Sequence, residues 1–315
     1  MRESAVEPPR RLMRHFDEDG VACRLEWDEL IAAMECVLAE FSRGNLVQPV
    51  RSIITVEERQ RYVGIMPAVV GEVMGLKFVT FYPINSNRGI PTHHATIVLY
   101  DTQSGNPIAT MDGRLITEMR TAAVSAAATK YLASPDSHAL ALLGSGVQAR
   151  SHLAALSRVR RFSDVRVWSQ TFAHAQRFAR EYGVRAVDSA EEAVRGADVV
   201  VTATGAREPV LRGAWLKPGA HVNAIGSARP DWRELDDVAM RNVVFVDSRE
   251  AAATEAGDVI LAKAEIFAEI GELFAGLKEA PPPAATTVFK SLGLGCEDIA
   301  AAKLVAFKTL DDAVE

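Results

Sequence analysis

The sequence is poor in the residues that would make its chemistry easy to name. Its 315 residues include three cysteines, Cys23, Cys36 and Cys296, far apart and at no zinc or disulfide spacing. This argues against a disulfide-stapled or zinc-ribbon fold and fits idle thiols in a reducing compartment. Basic charge is in deficit: Lys+Arg number 35 against Asp+Glu 41, a net charge of -6, with no basic block. Such a balance is a poor match for nucleic acid or an anionic membrane surface. No apolar run reaches membrane-spanning length, and the stretch 1–19, broken by Glu3, Glu7, Pro8, Pro9 and Asp17-Glu18-Asp19, contains no signal core. The chain therefore reads as soluble and cytosolic. The seven histidines show no metal-ligand spacing; His93 and His94 on one strand would face opposite ways, and His152 is expected on a helix surface. Neither a Gly-x-Ser-x-Gly elbow nor a metal motif is present.

What is present centres on the run Ala139-Leu-Ala-Leu-Leu-Gly144-Ser-Gly146-Val147-Gln148-Ala149. An apolar strand meets a G-x-G-x-x-A turn, and a helical pattern follows at once. This is the form that holds a dinucleotide pyrophosphate, with Gly144 allowing the tight turn and Gly146 the close approach of backbone to phosphate. The helix N-terminus offers free N–H groups to the anion.

Around this run the chain divides. Residues 1–20 form a polar lead-in, and 27–42 repeat apolar residues at helical spacing until Gly44. Strands are expected at 47–56, 62–66, 76–82, 95–100 and 107–111, with a hairpin turn at Ser104-Gly105-Asn106. An Ala-rich helix is predicted over 117–132, with Thr117 as N-cap. Beyond it strands and helices alternate, including a strand at 222–225 and a helix at 235–241, which signals a doubly wound parallel sheet. Residues 294–307 read as a closing helix that returns to the first domain.

Three residues outside the glycine loop stand out. Lys77 interrupts the apolar strand Leu76-Lys77-Phe78-Val79, so it either reaches solvent, as edge-strand lysines do, or is placed for chemistry with a desolvated ammonium. Arg120, in the first turn of a helix begun at Thr117, opposes the helix dipole. It is either simply solvated or faces an anion. Asp231 follows the strand 222–225 in a loop at a strand's carboxyl end, where ligands of open α/β sheets bind. Asp231-Trp-Arg-Glu234 also reads as a capping box.

The chain resembles the ornithine cyclodeaminase/mu-crystallin family over nearly its whole length. The resemblance is carried by Val47-Gln-Pro-Val-Arg51, Tyr62-Val-Gly-Ile-Met66-Pro67, Leu76-Lys77-Phe-Val-Thr80-Phe-Tyr82, Met111-Asp-Gly, Arg120-Thr-Ala-Ala-Val-Ser125, Lys217-Pro-Gly-Ala-His-Val-Asn223, Arg229-Pro-Asp231-Trp-Arg-Glu-Leu235-Asp and Thr287-Val-Phe-Lys-Ser-Leu-Gly293, together with the glycine loop. It implies a Rossmann-type doubly wound parallel sheet over 119–293. An α+β substrate and dimerisation domain over 1–118 would be rejoined by the C-terminal segment 294–315, in a homodimer. Position by position, Arg51, Lys77 and Arg120 match residues that hold a substrate carboxylate, and Asp231 matches a catalytic acid. The cofactor contacts implied are Gly144, Gly146, Val147, Gln148, Ser169, Gln170, Thr171 and Thr204.

Two departures favour the ketimine-reductase branch over the cyclodeaminases. Gly64 stands where cyclodeaminases carry a glutamate, and Ser169-Gln170-Thr171 replaces the aspartate that suits an NAD ribose. Gln170 also replaces an arginine found in mu-crystallin members. The resemblance thus implies an NAD(P)H-dependent reductase of cyclic ketimino acids, with NADP(H) modestly favoured over NAD(H). Its alternatives are an ornithine cyclodeaminase, an alanine dehydrogenase, or a non-catalytic crystallin-like binding protein.

Overall fold

The structure is a computed structural model that describes residues 13–58 and 60–308. The expected lead-in up to residue 12, and residues 309–315 of the C-terminal segment, lie outside the described residues. Two sheets organise the chain. The first has six strands in the order Arg14–Phe16, Pro107–Asp112, His93–Asp101, Val73–Phe81, Arg61–Val70, Ser52–Glu57. Its pairings are antiparallel apart from that of Arg14–Phe16 with Pro107–Asp112. Gly105 takes a left-handed φ of 70° in the turn between His93–Asp101 and Pro107–Asp112, as the hairpin reading requires.

The second sheet has eight parallel strands in the order Ile266–Glu269, Val243–Val246, Thr287–Lys290, His221–Ala224, Val199–Thr202, Ala139–Leu143, Asp164–Trp168, Arg185–Ala186. Its central strands are buried at every residue, because helices cover both faces of a parallel sheet. The chain order steps outward from Ala139–Leu143, then returns to start the other half, leaving a crevice at the carboxyl ends beside the glycine loop.

One helix joins the sheets and a second closes the first of them. Arg114–Leu132 is almost entirely buried and packs against strands of both sheets; the alanines seen in the sequence allow this close approach. The boundary expected at 118/119 falls inside this helix. The helix Gly295–Phe307 lies on the inner face of the six-stranded sheet, against Arg61–Val70 and Val73–Phe81.

Four sequence expectations need correction. The Ala-rich helix begins at Arg114, not Thr117: Asp112 Oδ1 accepts from the Arg114 amide at 2.8 Å, and the Thr117 hydroxyl donates back to the Gly113 carbonyl. Arg120 is thus nearly two turns in, beyond the reach of the dipole argument. The expected helix 235–241 is a β-bridge from Leu235 to Leu211 followed by a single 3₁₀ turn, Ala239–Arg241. Glu234 is no capping residue, because its carboxylate is buried and engaged elsewhere. His152 is fully buried, bonded to the Gln148 carbonyl and the Ser125 hydroxyl. Burial pushes its imidazole down to about 4, so it stays neutral.

Candidate active site

Lys77 occupies the middle of Val73–Phe81, a central strand, opposite Met66 on one side and Ile97 on the other. The edge-strand reading is therefore excluded. Residues paired across antiparallel strands share a face, and this is the face covered by the C-terminal helix. Lys77 is 1% exposed, so its ammonium needs partners. Asp298 Oδ2 lies 2.7 Å from Nζ, and the Thr117 hydroxyl 3.3 Å away. Burial draws the Lys77 pKa down to about 8, against the pull of Asp298 and with the nearby Arg120 adding to the fall.

The same Asp298 carboxylate serves Arg120, accepting from Nε at 2.8 Å, while Glu297 Oε2 accepts from Nη1 at 2.8 Å. All four side chains are buried. Burial opposes the guanidinium charge, but Asp298 and Glu297 outweigh it and hold Arg120 above its ordinary value. Asp298 in turn overcomes burial through Arg120 and Lys77 and stays below the usual carboxylate range. Among the described residues, Glu297 is ion-paired with Arg120 alone. Burial, with Asp247 and Asp298 adding to it, lifts its pKa to about 7.

Arg51 joins from the first sheet's edge. Its Nη2 donates to the Leu292 and Gly293 carbonyls at 2.9 Å, and its Nε lies 3.0 Å from Glu255. Gly293 is where the two arginines meet the chain. Its φ is +75°, and a Cβ there would lie 2.1 Å from Arg120 Nη1, so only glycine fits. Asp247 fixes this turn by accepting the Leu292 and Gly293 amides at 2.5 and 2.6 Å.

The second half of the site is a groove of about 1350 Å³ at the carboxyl ends of the parallel strands. Gly144, Gly146, Val147, Ser169, Gln170 and Thr204 are among its lining residues. Gly144 has φ +116°, and a Cβ there would lie 2.5 Å from the Ala203 carbonyl oxygen, whereas the space beside Gly146 is open. The 13-residue helix Val147–Val159 begins at Gly146 with no side chain capping its amides. A bare turn, open amides and a long groove are what a dinucleotide diphosphate needs, so the residues fit a nicotinamide dinucleotide. The Thr204 amide and hydroxyl both go to Glu234 Oε1, at 2.7 and 2.6 Å. Arg150 and Arg177 also line the groove, although Arg150 is already paired with Glu118 at 2.5 Å.

Not every expected residue converges. Lys77, Arg120 and Arg51 are drawn together through Asp298 and Gly293. Asp231 is exposed on its loop, whose neighbour Arg229 lies over the Tyr62 ring at 3.9 Å, bringing the loop to the first sheet. Gln148 sits in the first turn of the glycine-loop helix, and Thr171 N-caps the helix Phe172–Tyr182; neither lines the groove. Missed altogether were Asp298, Glu297, Asp247 and Glu255. The only signal available was the pair of adjacent acids in the first turn of a largely apolar helix.

Comparison with known proteins agrees with this architecture. The description "Ornithine cyclodeaminase/mu-crystallin family" matches residues 13–312. The ketimine reductase mu-crystallin of Mus musculus is 50% identical over 284 residues, covering 88% of this chain and 90% of that one. Among solved structures, the Thermococcus litoralis Delta(1)-pyrroline-2-carboxylate reductase in complex with NADH and L-proline superposes with a TM-score of 0.89 at 36% identity, covering 93% and 96% of the two chains. An archaeal alanine dehydrogenase dimer with bound NAD gives 0.88 at 32% identity, covering 93% and 95%.

Proposed function

Because the chain belongs to the ornithine cyclodeaminase/mu-crystallin family, we propose that it is an NAD(P)H-dependent reductase of cyclic ketimino acids. Its substrates are of the piperideine-2-carboxylate or pyrroline-2-carboxylate type, and the products are cyclic amino acids. The observation that carries this reading is the buried Lys77–Asp298–Arg120 cluster on the sheet face: a desolvated ammonium beside a guanidinium suits an acceptor that bears both a carboxylate and a basic nitrogen. Arg120 and Arg51 orient the carboxylate, which fixes the plane of the adjacent C=N bond. Lys77, with its pKa near 8, is mostly charged at neutral pH and holds or supplies the proton at the imine nitrogen. Asp231 is assigned the second proton-handling role, from the loop that Arg229 anchors. The dinucleotide, when bound along the Gly144–Gly146 groove, supplies the hydride.

Gly64 separates this reading from a cyclodeaminase. Paired with Val79, it shares the sheet face of Lys77, so a carboxylate at this position would point into the substrate space; here there is none. NADPH is preferred, modestly, because the strand end Ser169-Gln170-Thr171 offers donors to a ribose phosphate and carries no acid of its own. We assign residues 119–293 to the dinucleotide domain, and 1–118 with the C-terminal helix to the substrate and dimerisation domain. The homodimer is supported by the outer face of the six-stranded sheet. Ile54 and Phe78, exposed at 50% and 44%, lie on it with Ile65, an apolar surface suited to a second copy. No helix among the described residues is long and apolar enough to cross a membrane, and we assign the chain to the cytosol.

The test is a panel of cyclic imino acids, 2-oxo acids with ammonia, and ornithine with oxidised cofactor, followed by NAD(P)H absorbance. Turnover of the cyclic imines above all others is expected; ornithine or alanine chemistry as the fastest reaction would overturn the reading.

A further inference from the structure

Arg120 enters the reading above as the clamp for a substrate carboxylate, yet two of its nitrogens are already taken. Nε is bonded to Asp298 and Nη1 to Glu297. The cluster is also short of positive charge. Lys77, Arg120 and Arg51 supply three cations against the four carboxyls of Asp298, Glu297, Asp247 and Glu255. A substrate carboxylate added to this buried set would leave a second negative charge uncompensated, at a heavy desolvation cost. One carboxyl must be neutralised.

The contacts single out which. Asp298 lies between Lys77 and Arg120 and is held ionised by both. Asp247 accepts backbone amides from Leu292, Gly293 and Ser248. Glu255 is paired with Arg51 and partly open to solvent. Glu297 is fully buried, with Arg120 as its one ion-pair partner, and its Oε1 makes no hydrogen bond among the described residues.

We propose that Glu297 is a proton-coupled positioning residue: as the substrate carboxylate binds, Glu297 takes up one proton from solvent and releases Arg120 Nη1 to the substrate. The inference rests on the reductase reading for the identity of the ligand, a cyclic carboxylate. No bond is made or broken apart from the O–H on Glu297, and the guanidinium stays charged throughout. The charged and titratable groups that face Glu297 come from every element packed on it. Arg120 comes from the Ala-rich helix, and Lys77 on the central strand connects to it through Asp298. Asp247 follows strand Val243–Val246, and Asp298 and Cys296 share its own helix. With its carboxyl near 7, both forms of Glu297 are populated at neutral pH and the switch costs little. The sign follows: affinity for a carboxylate is full below about pH 7 and declines above it.

The experiment is calorimetric titration of cyclopentanecarboxylate, which has no titratable nitrogen, into the protein saturated with NADPH, in buffers of different ionisation heat. At pH 7.5 we expect roughly half to one proton taken up per ligand, and a Kd that rises about tenfold between pH 6 and pH 8. Glu297→Gln, which is permanently neutral, should lose most of the uptake and bind with a nearly flat Kd over that range. If that variant does not fold, the wild-type uptake curve decides alone. A midpoint near 7 assigns Glu297, whereas a midpoint near 8 implicates Lys77 and overturns the proposal. Binding without proton uptake, or no carboxylate binding at all, also overturns it. Uptake without imine reduction would sink the functional reading and leave this one standing; imine reduction without uptake would do the reverse.

Discussion

Lys77 is held by geometry that a single strand cannot announce. An ammonium 1% exposed and 2.7 Å from Asp298 is neither a solubility device nor a spare charge. Lys77→Met keeps the apolar stem and removes the charge. Turnover is expected to fall by about 10²–10⁴-fold, the usual range for a positioned proton donor, while NADPH binding measured by fluorescence is unchanged. Normal turnover in a folded variant would remove Lys77 from the chemistry. Burial lowers the Lys77 pKa to about 8, so its charged form prevails below that pH and is lost above it. In the wild type kcat/KM should therefore decline further above about pH 8; a profile flat from pH 8 to 9.5 would contradict the role. Arg120→Lys keeps a charge but not the planar fork that meets Asp298 and Glu297 together. Arg120→Leu, which removes that cation from Asp298 and Glu297, should cost about 2–5 kcal/mol in kcat/KM, as for a buried charge pair losing a partner, and Arg120→Lys should recover little of it. At this scale the sequence was half legible. A lysine inside Leu76-Lys77-Phe78-Val79 stands out on its own, and the family resemblance singles out Arg120. Their partner Asp298 does not, because acids in a helix's first turn look like ordinary dipole partners and only the tertiary fold brings them opposite two cations.

Among the elements, the glycine loop was the most legible, since its function is set by local backbone. Gly144 needs φ +116° and has the Ala203 carbonyl 2.5 Å from where a Cβ would lie. Gly144→Ala should weaken NADPH binding at least about tenfold and lower stability by about 1–3 kcal/mol, the range for overpacking; unaltered dinucleotide affinity would show that the groove binds something else. The proposed preference for NADPH rests on the strand end at Ser169-Gln170. Gln170→Arg should sharpen the NADPH preference and Gln170→Asp should turn it toward NADH, both read as ratios of kcat/KM. A wild type favouring NADH tenfold would contradict that account. The loop after His221–Ala224 was least legible. Asp231-Trp-Arg-Glu234 has the spacing of a capping box, but Glu234 is drawn inward by Thr202, Thr204 and Gly226. Long-range hydrogen bonds to a buried carboxylate thus override a local pattern. The helix start at Arg114 was misplaced for a smaller reason: its N-cap residue Gly113 has no side chain and the bond to the Arg114 amide comes from Asp112, one residue earlier, so the capping signal fell on Thr117.

At the scale of the whole molecule, alternation of strands and helices declared the parallel sheet, and strand periodicity declared the other. What it could not declare was that Arg114–Leu132 and Gly295–Phe307 would carry Arg120 and Asp298 to Lys77 between the two. The outer face of the six-stranded sheet, with Ile54 and Phe78 exposed, is the face proposed for the dimer. Phe78→Asp should convert a dimer to a monomer in light scattering, whereas a wild type already monomeric would contradict the assignment. The central claim is that this assembly delivers hydride from a dinucleotide to the carbon bearing the carboxylate of a cyclic imine. It is tested most directly by turnover of pyrroline-2-carboxylate with NADPH carrying deuterium at both nicotinamide C4 positions, followed by mass spectrometry and NMR of the product. The account predicts proline carrying one deuterium, at the carbon attached to the carboxylate. Product without deuterium there, or no proline at all, would contradict it.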